Sequence, residues 1–341
     1  MSPPSDDMPG EAGSTPRPTV TVCLPVSRSS ALTARALGSV LNQELDDIEV
    51  LVGDETGESK TAVDAIGDRR VSYHRNPRRL GFTGNHVALL DRARGRYLAI
   101  LHDDDWWEPT YLSSLTAVLD ADPVVGVAFC DVSRDVEGGA EQEGDWPIPL
   151  VPGRNEDVLQ VLLREEWFLL PSATVLRREV WDGPAREWQP DLHTADLQLY
   201  LSAAEAGWAF HYLPKPLVHW VQHRGQSGAH RGGDFGLAMA DDVLEFWTRW
   251  LGIRPASLAD ATSRQRAMSQ LRRARALILL KRRAAALDAL TEAVNLAGPD
   301  LPGRRQLVFA ARVPAPLLRV GLGVKRAAQS AAGAVLDRSR R

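Results

Sequence analysis

The chain has 341 residues, 44% apolar and 25% charged, a globular composition that can bury a large core without covalent staples. Lys and Arg number 40 against 44 Asp and Glu, and the net charge of −4 excludes a globally basic nucleic-acid binder. Two cysteines, Cys23 and Cys130, exclude a disulfide framework and read as buried thiols in apolar runs.

Residues 1–18 are acidic and rich in Pro, Gly and Ser, so they are expected to be a disordered tail and not a signal peptide. No apolar run reaches the roughly 18 residues of a membrane span, and a cytoplasmic protein is expected. From residue 19 strands and helices alternate. Strands are read at Thr19–Leu24, Ile48–Val52, Val71–His74, Tyr97–Leu101 and Val124–Cys130. Between them helices are read at Ala31–Leu41, Ser59–Ile66, Asn85–Arg94 and from Pro109 onward. Near-continuous apolar strands separated by helices predict a parallel α/β sheet covered on both faces.

Residues 133–157 read as one long loop. A strand is expected at Ala173–Leu176, a helix at Asp196–Ala206, and two short strands at Phe210–Leu213 and Leu217–Val221. Residues 223–236 read as a flexible Gly-rich segment, followed by amphipathic helices over 238–252 and 259–296. The domains expected are the tail 1–18, an α/β domain over 19–236 and a helical extension over 237–341 with a basic end. Residues 301–341 hold nine basic residues and one acid, which suits either a docking helix with a solvated tail or a peripheral contact with a membrane surface.

The chemistry should sit beyond the carboxyl ends of the strands, where open α/β sheets bind ligands. The fourth strand runs into LHDDDWWEP, placing Asp103, Asp104 and Asp105 together. Adjacent carboxylates repel, so the cluster is either a solvated turn or a site for a divalent cation such as Mn²⁺ or Mg²⁺. The other strand ends carry Pro25-Val26-Ser27, Gly53-Asp54-Glu55, and Asn76 followed by Leu80-Gly81-Phe82-Thr83-Gly84-Asn85. An aspartate at such an end is a turn residue or an acceptor for a pyrimidine N3–H. Trp106 and Trp188 are candidate sugar-stacking faces.

The order LPVSRSS, LVGDETGES, NPRRLGFTGN, LHDDDWWEP, TADLQLYLSAAEAGW and VQHRGQSG over 19–227 resembles glycosyltransferase family 2, the inverting nucleotide-sugar transferases of the GT-A fold. The resemblance implies an α/β fold with a mixed, mainly parallel sheet flanked by helices, a nucleoside-diphosphate sugar donor, UDP or dTDP by preference, and an unidentified hydroxyl acceptor. It implies that Pro25, Val26, Ser27 and Asn85 line the nucleotide pocket, that Asp54 binds the base, and that Asp103 and Asp104 bind the nucleotide sugar. It implies a metal held by Asp104, Asp105 and His223, and Asp196 as the general base. Four positions depart from the family pattern: Gly53 and His102 each stand for an acid, Ala195 for Glu, and Val221 for Arg. Those departures leave room for a non-catalytic binding protein on the same scaffold. A pyrophosphorylase is disfavoured, because PVSRSSALTAR lacks the expected Gly-rich loop.

Overall fold

A computed structural model of the chain describes residues 17–27, 31–136, 146–165, 168–183, 192, 195–223, 233–252 and 258–312. The tail 1–16, Trp188 and the basic segment 313–341 lie outside the described residues.

In chain order the elements are β1 (Val20–Val26), α1 (Ala31–Leu41), β2 (Ile48–Asp54), α2 (Lys60–Ile66), β3 (Val71–Arg75), α3 (Gly81–Leu90) and β4 (Tyr97–Ile100). There follow β5 (Trp106–Trp107), α4 (Tyr111–Ala121), β6 (Val125–Val136), β7 (Gly153–Asn155), α5 (Val158–Leu162), a 3₁₀ turn (Pro171–Ala173), β8 (Thr174–Arg177), α6 (Arg178–Asp182), α7 (Ala195–Glu205) and β9 (Ala209–Gln222). The chain ends its described course in α8 (Gly233–Gly252), α9 (Ala259–Leu279), α10 (Arg283–Ala297) and α11 (Arg304–Arg312).

Two compact units divide these elements. The first comprises Met1–Val158, Trp167–Asp191 and Gln198–Val221; the second comprises Leu159–Glu166, Leu192–Leu197 and Gln222–Arg341. The division therefore falls at Gln222, and two short upstream segments join the helical unit.

The first unit holds a sheet in the order β3-β2-β1-β4-β8-β6-β9-β5, with β7 paired to β9. Its first four strands are parallel. β8 joins antiparallel to both β4 and β6, so the sheet is mixed. The residue pattern explains the parallel half. β1 is VTVCLPV and β2 IEVLVGD, both buried along their whole length, as strands covered on two faces must be. α1 covers one face with Thr33, Ala36, Leu37 and Val40, the spacing of a single helical stripe. Each fully buried Val or Leu contributes about 1.5–3 kcal/mol. Gly67 ends α2 at φ 63°, a left-handed cap that glycine adopts without steric penalty.

The structure differs from the sequence reading in several elements. β6 continues to Val136, into the stretch read as loop, and β7 forms inside that stretch. β9 is one strand of 14 residues, with Pro214 and Lys215 exposed at its middle. Two separate strands are expected here from the sequence; Pro214 and Pro216 fall between them, and a proline sits in a strand wherever its missing N–H faces away from the ladder. α3 begins at Gly81, four residues before the expected start, and α8 begins at Gly233, inside the segment read as flexible.

The second unit is a set of helices with its own core. α9 and α10 meet through Ala267, Leu271, Ala274, Ala286, Ala289, Leu290 and Ala293. Arg273 and Asp241 pair at 2.6 Å between α9 and α8. No helix among the described residues is long and apolar enough to cross a membrane.

Candidate active site

The order β3-β2-β1-β4 means that chain connections leave β1 in one direction for β2 and β3 and later return on its other side with β4. The carboxyl ends of β1 and β4 therefore form a topological switch point, where a crevice opens in such sheets. The acidic cluster stands there. Ser27 leaves the end of β1, and its backbone N–H donates to Asp103 Oδ2 at 3.0 Å. Asp103 and Ser27 thus join the ends of β1 and β4.

Asp105 is 1% exposed. Ser172 Oγ donates to its Oδ2 at 2.6 Å, and the Val221 N–H donates to its Oδ1 at 3.2 Å. Burial pushes its carboxyl well above the usual carboxylate range, and the neighbouring Asp104 adds to the shift. Ser172 also accepts from the His102 N–H at 3.2 Å, so one hydroxyl ties the turn after β4 to the 3₁₀ turn before β8. Sequence reasoning missed Ser172; its only local signal is the Pro171 that starts the 3₁₀ turn.

His102 completes the cluster. One ligand atom each from His102, Asp104 and Asp105 lie within 4.8 Å of one another. His102 Nδ1 stands 3.8 Å from Asp105 Oδ2. Its ring packs edge-on against Phe82 and His86, with centroids 5.4 Å away in both cases. Burial lowers the His102 imidazole to about 3 and the His86 imidazole to about 4, so both rings are neutral. Two carboxylates and a neutral imidazole form a donor set that fits a divalent cation.

The remaining pocket residues fall into place less simply. Pro25 and Val26, expected to line the nucleotide pocket, are buried in β1. Asn85 is 2% exposed. Its Nδ2 donates to Gly53 O at 2.9 Å, and its Oδ1 accepts from Asn76 Nδ2 at 2.9 Å. A Cβ at Gly53 would lie 2.5 Å from Asn85 Oδ1, so the glycine that replaces the family's acid makes room for this amide. Glu55 accepts from Asn76 Nδ2 and from the N–H groups of Leu80 and Gly81. That carboxylate caps α3 from another element.

Asp54 corrects the expectation of a base reader. It is fully buried. Its Oδ1 accepts from Thr56 N, Thr56 Oγ1 and Gly57 N; its Oδ2 accepts from Ser59 N, Ser59 Oγ and Tyr73 Oη. These donors outweigh the effect of burial and hold its carboxyl down at about 2. A carboxylate with six donors has no lone pair to offer a nucleobase. It caps the turn after β2.

Trp106 corrects another expectation. His219 stacks on it at 3.5 Å with 6° between the planes, and the Arg35 guanidinium lies 4.4 Å from its ring centroid. The indole is therefore already packed against an imidazole and a guanidinium of the protein. Arg35 is held by Asp135 at 3.1 Å and His219 by Glu108 at 2.8 Å.

Asp196 and His223 belong to the second unit. Asp196 lies in the first turn of α7, with Leu197 N–H donating to its Oδ1 at 2.9 Å. The sequence reading expected the helix end to keep this carboxylate ionised. Burial wins instead: it raises the group to about 7, and Asp242 adds to the rise. His223 is half-buried at the end of β9.

The model of glycosyl transferase family 2 matches residues 21–182, a little under half of the chain, and over this stretch the chain is similar to that family. An uncharacterised protein of Mycobacterium tuberculosis is 31% identical over 193 residues, covering 51% of this chain and 59% of that protein. The chain thus spans little more than half of that relative and less of others. Among solved structures, S. aureus TarS 1-349 in complex with UDP-GlcNAc matches with a TM-score of 0.60 at 15% identity, over 86% of this chain and 87% of that one. The mannosyltransferase PcManGT from Pyrobaculum calidifontis, in complex with GDP-Man and Mn2+, matches at 0.55 and 20% identity, over 87% and 80%. At such identities the likeness is one of fold.

Proposed function

We propose that the chain transfers a sugar from a nucleoside-diphosphate sugar to an acceptor hydroxyl with inversion at the anomeric carbon. The observation that carries this reading is the Asp103–Asp105 cluster at the ends of β1 and β4 within the stretch similar to family 2. In the reaction the acceptor oxygen bonds to the anomeric carbon as the bond from that carbon to the diphosphate oxygen breaks. The hydroxyl proton passes to Asp196, and the electron pair leaves with the nucleoside diphosphate. Asp196, raised to about 7, is matched to accept a proton near neutral pH. Asp104 and Asp105 would hold a divalent cation, which when bound would neutralise charge on the leaving diphosphate. Asp103, bonded to the Ser27 N–H, fixes the mouth of the crevice against that diphosphate.

The preference for UDP or dTDP rested on Asp54 reading N3–H, and Asp54 is committed to its turn. The donor test therefore spans UDP, dTDP and GDP sugars, with release of the diphosphate followed in the presence of Mn²⁺. Selective release from one donor, abolished by Asp104→Ala, is the expected result. Absence of both release and calorimetric nucleotide binding overturns the reading.

The acceptor side is read from the C-terminal end. In α11 Arg305, Phe309 and Arg312 recur at helical spacing on the exposed side, with Phe309 65% exposed. Six more basic residues follow in 313–341 against Asp337 alone. An aromatic flanked by arginines suits an anionic lipid surface, and with it a lipid-linked acceptor. The protein is expected to sediment with phosphatidylglycerol vesicles at low salt and not with neutral ones. Phe309→Ala and Arg312→Glu should weaken that binding several-fold; equal sedimentation with both vesicle types would count against it.

A further inference from the structure

We propose that His102 is a nitrogen ligand to the cation of this site and that it shifts the site's preference from Mg²⁺ toward Mn²⁺, Co²⁺ and Zn²⁺. The inference rests on the reading of the cluster as a metal site and adds a ligand and a selectivity that the reading lacks.

The geometry points to His102 in three ways. Its Nδ1 lies 3.8 Å from Asp105 Oδ2, too long for a hydrogen bond. Two donors on one cation, each bonded at about 2.1 Å, stand about 3.0 Å apart when adjacent and about 4.2 Å when opposed. The His102–Asp105 spacing falls inside that range, and the 4.8 Å limit that includes Asp104 is close to it. Next, the His102 Nε2 is buried with no hydrogen-bond partner. A metal on Nδ1 requires the ring proton on Nε2, making that atom a donor in search of an acceptor. The adjacent ring supplies one. His86 is 2% exposed, and its Nδ1 pairs with the Phe82 carbonyl at 2.6 Å. A carbonyl only accepts, so Nδ1 carries the proton and His86 Nε2 is left as an unprotonated acceptor, itself buried and unpartnered. One ring thus offers the donor and its neighbour the acceptor, joined by a small rotation or one water. Such a partner orients a ligating imidazole and raises its basicity. Finally, a largely buried imidazole occupies the strand end where an oxygen ligand would suit Mg²⁺ better. Nitrogen ligands favour the later, softer divalent ions.

The test is electron spin-echo spectroscopy of the protein with Mn²⁺ and uridine diphosphate, together with calorimetric affinities for Mn²⁺ and Mg²⁺. The wild type is expected to show ¹⁴N modulation. His102→Asp should retain Mn²⁺, lose the modulation, and narrow the Mn²⁺-over-Mg²⁺ affinity ratio by about tenfold. His223→Ala should leave the modulation in place, which assigns the nitrogen even if His102→Asp fails to fold. Bound Mn²⁺ without ¹⁴N modulation in the wild type overturns the inference and spares the metal site. So does modulation that survives His102→Asp and vanishes in His223→Ala. Failure to bind Mn²⁺ at all, with or without uridine diphosphate, overturns both.

Discussion

Asp196→Asn is expected to lower kcat by about 10³-fold, within the usual range for loss of a positioned base, and to leave donor binding within about twofold in calorimetry. An amide keeps the shape of the carboxylate but cannot accept the acceptor's proton. The wild-type kcat/KM should rise through pH 7 and then level, because a carboxyl near 7 is protonated, and so inactive, below that value. The same shift makes a stability prediction of opposite character. A folded-state value above the ordinary 3.8 means that the folded chain holds this proton more tightly than the unfolded one. The stabilisation is complete below about pH 4 and is lost as pH rises through about 7. Asp196→Asn removes that penalty, and the variant should be more stable than the wild type at pH 8, by about 1–3 kcal/mol, and equal to it at about pH 3. Urea denaturation at the two pH values checks this. A merely structural aspartate gives the reverse, a variant weakened at pH 8 with activity reduced only in proportion to folded protein.

The parallel half of the fold was legible because its information is local. α1 shows its stripe at Thr33, Ala36, Leu37 and Val40, and β1 and β2 are apolar along their length. The antiparallel half was less so, because its strands are defined by their partners. β5 is two residues, Trp106 and Trp107, that become a strand only by pairing with Val218 and His219. β7 exists only against Phe210–Tyr212. The start of α3 hides for a similar reason. Its cap is Glu55, some 25 residues upstream, and no local capping residue marks Gly81. In the site, the acidic cluster and Ser27 stood out from the sequence, because three consecutive carboxylates after an apolar strand have few uses. What the sequence could not reveal is saturation. Asp54 and Trp106 were residues of suitable type at suitable ends, and each is engaged by neighbours that only folding supplies. Ser172 escaped notice for the converse reason, a small residue whose importance comes from bridging His102 to Asp105.

Asp54→Ala is expected to destabilise the first unit by about 3–5 kcal/mol, the range for stripping a buried charge from its donors. The N–H groups of Thr56, Gly57 and Ser59 and the hydroxyls of Ser59 and Tyr73 all donate to this carboxylate, and removing it leaves them without their acceptor. Asp54→Asn should fail nearly as badly, since its amide nitrogen would meet donors where an oxygen now accepts. The wild-type carboxyl near 2, against an ordinary 3.8, contributes stability that is complete above about pH 4 and is lost as pH falls toward 2. By linkage that contribution is about 2 kcal/mol, and the Asn variant should show no such loss in the same window. Urea midpoints between pH 2 and pH 6 measure it. The functional consequence is indirect. The turn that Asp54 closes leads out of Glu55, and Glu55 holds the start of α3, whose Asn85 fills the space above Gly53. Loss of the cap should therefore reduce nucleotide binding only as far as it unfolds the unit, with affinity per folded molecule within about threefold of wild type at low temperature. A stable Asp54→Asn protein with altered base preference would instead make Asp54 the base reader, and would require the Ser59 and Tyr73 bonds to open when the nucleotide enters.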